Sequence, residues 1–501
     1  MRGENVPVIF GLKLRQLREE RGLALKELSG LSGLSASYLN EIEKGKKYPK
    51  TDKILQLAEA LDVPYDQMVS LKLSKNLGPL GSMLDSPIIQ ALPLQMFGLT
   101  PRDIIDLISR APKEVSALLR TLGDIASSYD MHVEHFLYAM LRSYQETHEN
   151  YFEEIETSVL RFAESHHWSA DAPLSAEHLS QVLTNEMNIA VEDLSLEAYP
   201  DLAGFRSIWV PGPPPRLLIN PNLSEEQKAF QLGREIGYQD IGLKERGVTS
   251  SRAEVESFAQ VLNDFKASYY AGALMIREPE LLEDLKTFFA KSAWEPEAFL
   301  AMMNRYRVSP EMFMYRLTQL VPKHFGIKSL HFLRINHDTG SNRFDVTKHL
   351  NMGGPLFHAE IGLNEHYCRR WQAVSLLTDL AGQQAKGTAA PPLIAAQRTR
   401  FLNNETDYFF ITLARPLALT PGTNTSVTLG LRMDRRLPAK VAFCEDPSIE
   451  SASINETCER CGFSESECNL RSASATQFAE RQRLETRKEA LNRLLAEAKG
   501  A

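Results

Sequence analysis

Residues 231–238 read QLGREIGY, from Gln231 to Tyr238. Upstream lie a short apolar strand, RLLI, an Asn-Pro-Asn turn, and Ser224 with Gln227 three residues on. That Ser/Gln spacing lets two side chains satisfy orphan amides at a helix start, so it predicts a helix from Ser224 through 231–238. On that helix Arg234 and Tyr238 share one face, one turn apart, with Glu235 beside them.

A chain of 501 residues exceeds the size of a single core, and roughly three or four domains are expected. With 56 basic and 64 acidic residues the surface is mildly acidic, which argues against nonspecific coating of nucleic acid and leaves room for one local basic face. The N-terminus lacks a signal-peptide pattern and no run of about 18 uncharged apolar residues occurs, so a cytoplasmic protein with no membrane partner is expected. Three of the five cysteines are clustered, which in a reducing compartment points to metal more than to disulfides.

Residues 1–70 carry successive short helical patterns. Phe10, Leu14 and Leu17 recur at helical spacing, Gly22 ends the first helix, and LALKELSGLSG and LSASYLNEIEKG form two more around a Gly-containing turn. In the third, Ser35 is placed to cap. Leu39 and Ile42 form the inner face, leaving Ser37, Tyr38, Asn40 and Glu41 pointing elsewhere. Lys44, Lys46 and Lys47 follow directly. LRQLREERGL, LSASYLNEIEKG and ILQLAEALDV together resemble the xenobiotic-response-element repressor family. The resemblance implies a five-helix bundle that binds a double-stranded DNA operator as a homodimer. It turns Ser37, Tyr38 and Asn40 toward bases and Lys44, Lys46 and Lys47 toward the backbone, and counts the capping Ser35 among the DNA-binding residues. Where that family opens its second helix with a phosphate-capping Gln, this chain offers Lys26.

Residues 71–125 read as a linker with short helices, and 126–325 as a helical domain. In the latter the strand, turn and helix around 231–238 resemble the antirepressor-type zinc peptidase domain joined to such repressors. Zinc hydrolysis there needs H-E-x-x-H: two imidazoles on one helical face, a third ligand, and a Glu polarising metal-bound water. Here Arg234 and Tyr238 occupy the histidine positions, and the third acidic position falls near Phe265 with Asp264 adjacent. The resemblance therefore implies a retained fold with no catalytic residue. It leaves Glu235 as an ordinary helix residue or a partner of Arg234 or another nearby cation.

Residues 326–470 read as an α+β domain. SLHFLRINHD, DYFFITLARPL, TSVTLGLRM and KVAFCED alternate as strands of an antiparallel sheet. CERCGFSESEC sets Cys458, Cys461 and Cys468 in a spacing able to close on zinc or an iron–sulfur cluster, with Cys444 as fourth ligand and Cys368 as the competing choice. A charged helix is expected over 471–501.

The whole succession resembles the short-chain fatty-acyl-CoA-responsive regulators of acetate and propionate assimilation in bacteria. This implies a transcription factor whose DNA affinity is set by a short-chain acyl-CoA. Such a ligand needs cations for its phosphates and an apolar slot for its acyl chain, and Arg369, Arg370 and Trp371, read as a helix, supply candidates. A second reading makes the cysteine cluster itself a redox or metal input. A third, an antirepressor-type metallopeptidase, would need the missing histidines.

Overall fold

The computed structural model describes residues 6–70, 133–168, 174–249, 257–353, 365–389, 391–402, 406–459 and 461–463, with Glu467, Cys468, Leu470, Thr486, Arg487 and Ala490. The expected linker 71–125 and nearly all of the expected helix 471–501 lie outside them. The chain divides into two compact units: residues 1–140 with 256–258, and the remainder.

In the first unit, α1 (Val6–Glu20), α2 (Leu25–Ser32), α3 (Ala36–Glu43), α4 (Thr51–Ala60) and α5 (Tyr65–Val69) form the expected five-helix bundle. Leu14, Leu28, Leu39, Ile42, Leu57 and Leu61 are completely buried at its centre. The α2–α3 turn passes through Gly33 at φ +68°, a left-handed conformation that glycine adopts without cost. At Gly11 a Cβ would stand 2.2 Å from the Ile42 carbonyl, so only glycine lets α1 cross α3 this closely. Arg18 of α1 then forks onto Glu43 at the end of α3, at 2.7 and 3.0 Å, a charge-assisted clamp that fixes the helix behind the turn.

The second unit begins within α6 (Val133–Thr147) and continues through α7 (Glu153–Ser165) and α8 (Ala176–Asn185). Three short strands, β1 (Ala190–Asp193), β2 (Ser207–Val210) and β3 (Arg216–Ile219), make a sheet of order β1-β3-β2. Then come α9 (Glu225–Asp240), α10 (Phe258–Met275), α11 (Glu278–Phe289), α12 (Pro296–Arg305) and α13 (Pro310–Phe325). The capping box at Ser224 and Gln227 forms as expected and starts α9.

A larger sheet follows, built of β4 (Leu330–Asp338), β5 (Arg343–Met352), β6 (Leu393–Phe401), β7 (Thr406–Pro416), β8 (Thr423–Arg432) and β9 (Glu450–Ile454). Its order is β5-β4-β8-β7-β6-β9, antiparallel except where β9 joins β6. Helix α14 (Gln372–Ala385) covers one face through Leu333, Ile335, Val374, Leu377 and Phe410. The opposite face meets α13, where Tyr315 packs edge-on against Phe332 at 5.1 Å. The architecture is therefore the expected one: a helical N-terminal bundle, a helical middle and a sheet-containing C-terminal part.

Three local expectations are corrected. KVAFCED is not a strand: Ala442–Glu445 form one 3-10 turn, because Phe443 inserts among Phe288, Trp294 and Phe409 and its neighbours wind around that anchor. Strand β6 occupies an Ala- and Pro-rich stretch with no strand pattern of its own at its start. Arg369 and Arg370 sit in a turn ahead of α14, with Trp371 as its N-cap residue, rather than on a helix.

Candidate functional sites

Helix α3 starts at Ser35, whose hydroxyl accepts the Tyr38 amide at 3.2 Å. This bond occupies Ser35 as a cap. With Leu39 and Ile42 buried, the opposite side shows Ser37 exposed and Tyr38 and Asn40 half-buried, all accessible to a partner. Lys26, Lys44, Lys46 and Lys47 are exposed around that face. Lys47 is not uncommitted: its ammonium meets Glu41 at 2.7 Å and lies 5.9 Å from the Tyr38 ring.

In α9 the side chains of Arg234, Glu235 and Tyr238 each meet a charged partner. Arg234 donates to the Gln231 side chain at 3.1 Å and pairs with Asp264 of α10. The Tyr238 hydroxyl lies 3.5 Å from the same Asp264 carboxylate, and burial pushes that phenol upward from its ordinary pKa. Asp264 thus faces both histidine-equivalent positions, whereas Phe265 packs against Phe152 and Tyr269, so the acidic residue of the site is Asp264.

Glu235 is 1% exposed, and its partner is Arg246, at 2.8 and 2.6 Å, rather than Arg234. Arg246 arrives on a segment that runs back along β2, with the Trp209 amide bonded to Val248 at 2.7 Å and Thr249 bridged to Ile208. Its guanidinium lies 3.9 Å from the Trp209 ring centre and 4.2 Å from that of Tyr238. Small residues make the helix contact below: at Gly237 a Cβ would stand 2.9 Å from Tyr270.

Residues 14–68 match the family described as Helix-turn-helix, and residues 180–318 that described as IrrE N-terminal-like domain. The HTH-type transcriptional repressor RghR of Bacillus subtilis is 48% identical over 61 residues, 12% of this chain and 45% of that protein. The uncharacterized HTH-type transcriptional regulator y4dJ of Sinorhizobium fredii is 34% identical over 62 residues, 12% of this chain and 80% of that protein. The chain belongs to the HTH-type transcriptional regulators. It spans less than half the length of RghR. A solved Mycobacterium tuberculosis transcriptional regulator is 17% identical, at a TM-score of 0.46, over 67% of this chain and 93% of that one.

In this HTH-type regulator the cysteines divide into two places. The Cys458 amide bonds the His366 carbonyl at 2.8 Å and the Cys368 amide bonds the Glu456 carbonyl at 3.2 Å, so 366–368 runs beside 456–458. Cys368 is buried, and its thiol is pushed up by burial and by the neighbouring Cys458 and Cys461. Cys444 lies in the 3-10 turn, its thiol pushed up to about 11 by burial and by Glu445. Of the two fourth-ligand candidates, Cys368 is the one grouped with the cluster. Among the described residues no three His, Cys, Asp or Glu side chains converge closely enough to hold an ion, and Cys468 is a half-buried free thiol.

The turn before α14 spreads its three candidates apart. Trp371 is completely buried between Tyr367 and Phe401. Arg369 lies over the Phe344 ring at 4.3 Å and Arg370 over that of Phe463 at 5.4 Å. The structure thus makes Trp371 a core side chain and leaves the two arginines on aromatic faces. No helix among the described residues is long and apolar enough to cross a membrane.

Proposed function

We propose that the protein is a DNA-binding transcriptional regulator of short-chain fatty acid metabolism, acting as a homodimer, whose affinity for its operator is set by a short-chain acyl-CoA. The observation that carries the DNA-binding part is α3 itself: a capped helix after a tight glycine turn, its apolar side buried and its polar side open and ringed by lysines. Ser37, Tyr38 and Asn40 read bases in this proposal, and Lys26, Lys44 and Lys46 meet phosphates. Ser35 contributes as the cap, and Lys47 competes with its bond to Glu41.

Support for the ligand comes from the order of parts along the chain and from Arg369 and Arg370, whose guanidinium groups suit CoA phosphates. Trp371 serves by packing the floor beneath them. Allostery requires the ligand to favour one of two arrangements of the DNA-reading dimer. The α9 centre is read as non-catalytic, since Arg234 and Tyr238 leave no imidazole for zinc. The cysteines that would hold zinc or an iron–sulfur cluster are Cys458, Cys461 and Cys468, with Cys368 preferred to Cys444.

A screen of acetyl-, propionyl- and butyryl-CoA by thermal denaturation tests the ligand. A ligand at 100 times its Kd adds about 2.7 kcal/mol of stability, and no shift with any of them removes the acyl-CoA reading. Metal analysis of anaerobically purified protein tests the cysteine set.

A further inference from the structure

Three adjacent strands of the large sheet line up polar residues on the face away from α14. Arg334 of β4 pairs across to Val427 of β8, Val427 to Leu413 of β7, and Arg415 of β7 to Thr425 of β8. Against this face lie Gln227 in the first turn of α9, Arg206 just before β2, and Pro310 and Glu311 at the start of α13. Together with Leu413, Arg415, Leu417, Thr425 and Val427 they line a narrow recess open to solvent.

Its charge is lopsided. Glu311 is met by Arg334 at 3.2 Å and Lys348 at 3.8 Å, while Arg334 also donates to the Thr425 hydroxyl at 3.3 Å. Arg206 and Arg415 face the same carboxylate, yet among the described residues neither guanidinium has a carboxylate within ion-pair distance. Four cations therefore share one central carboxylate, with Glu226 acting on Arg415 from further off. Burial lowers the pKa of both Arg206 and Arg415; Glu311 opposes it and Arg334 adds to it. Burial would raise Glu311, but Arg334, Lys348, Arg206 and Arg415 outweigh it and hold the carboxyl down at about 2.

We propose that this recess binds the phosphate group of a small molecule, held by Arg206 and Arg415 with Arg334 and Thr425 behind them. A phosphate dianion matches two guanidinium groups that share the single Glu311 carboxylate with Arg334 and Lys348, and each can offer it two parallel N–H donors. Leu413, Leu417, Val427 and Pro310 form apolar walls beside the charged groups. The site does not depend on the acyl-CoA reading, although a CoA phosphate and a free phosphomonoester share the chemistry it recognises.

The test is calorimetric titration of the full chain with inorganic phosphate, against sodium chloride of equal ionic strength, followed by propionyl-CoA and its 3′-dephospho form. Saturable phosphate binding is expected, weakened about tenfold or more by Arg206→Gln or Arg415→Gln. Arg415→Lys keeps the charge but loses the two-pronged contact, and is expected to fall between. Without phosphate, Arg415→Gln should melt at or above the wild-type temperature, since it relieves repulsion. A lower melting temperature together with unchanged phosphate affinity would make the cluster purely structural and overturn the proposal, as would phosphate binding no better than chloride. Propionyl-CoA competing with phosphate only when its 3′-phosphate is present identifies CoA as the source. Phosphate binding without such competition assigns the site to a separate phosphorylated molecule.

Discussion

Arg246 grips the buried carboxylate of Glu235 with both terminal amines while its guanidinium lies over the rings of Trp209 and Tyr238. The residue that would polarise water in an active peptidase is thus neutralised by a cation that the fold brings in on a neighbouring segment.

Removing one member of this pair leaves the other buried and uncompensated. Arg246→Ala is expected to cost about 3 kcal/mol in urea denaturation, because Glu235 cannot be rehydrated at 1% exposure. Replacing both by apolar residues, Glu235→Leu with Arg246→Met, should recover most of that loss. Equal destabilisation of the single and double variants would show that the pair has no such coupling.

The geometry around Asp264 supports an opposite experiment. With Arg234→His and Tyr238→His, two imidazoles one turn apart would face a carboxylate already directed at both positions. The double variant is expected to retain one zinc per chain after dialysis, and Asp264→Asn in that background to lose it. No retained zinc would mean that the backbone spacing has drifted from a ligating one.

For DNA, Asn40→Ala should cost about 1 to 3 kcal/mol at one operator position, whereas Lys46→Ala should weaken all sequences alike and lower the salt slope by about one. Lys47 is held by Glu41, so Glu41→Gln frees it and should tighten binding to every sequence. Binding measured across operator variants and salt concentrations separates these effects. Identical profiles for Asn40→Ala and Lys46→Ala would refute the division of roles.

His331 provides a pH dependence. It is 2% exposed, between Asn351 at 3.0 Å and Tyr408 at 3.1 Å, and burial lowers its pKa from 6.5 to about 4. The unfolded chain takes up the proton first as pH falls. Stability from this group is therefore complete above pH 6.5, declines by about 3 kcal/mol down to pH 4, and then levels. In His331→Gln that part of the pH dependence should vanish, as read from denaturation midpoints across the range.

The parts of the molecule legible in the sequence are those set by short-range pattern. The α1–α5 bundle follows from helical spacing and a glycine turn, and β4, β7 and β8 from short runs rich in aromatic and branched residues. Strand β6 escaped notice because Ala395, Ala396 and Gln397 lack the branched side chains that mark strands, and only its neighbours β7 and β9 make it one. The turn at 369–370 depends on Tyr367 bridging to Thr457, some ninety residues away. The partner of Glu235 was equally hidden, since it takes a return along β2 to deliver Arg246.

The large sheet works as a party wall: α14 is plastered on one side and α13, the last helix of the peptidase-like part, on the other. Neither tenant can leave without stripping the masonry they share. A cut after Phe325 would bare Phe332, Leu350 and Leu429 to water, so the two parts are expected to express as insoluble fragments and to melt together when intact. The helical middle part thereby serves as cladding for the sheet.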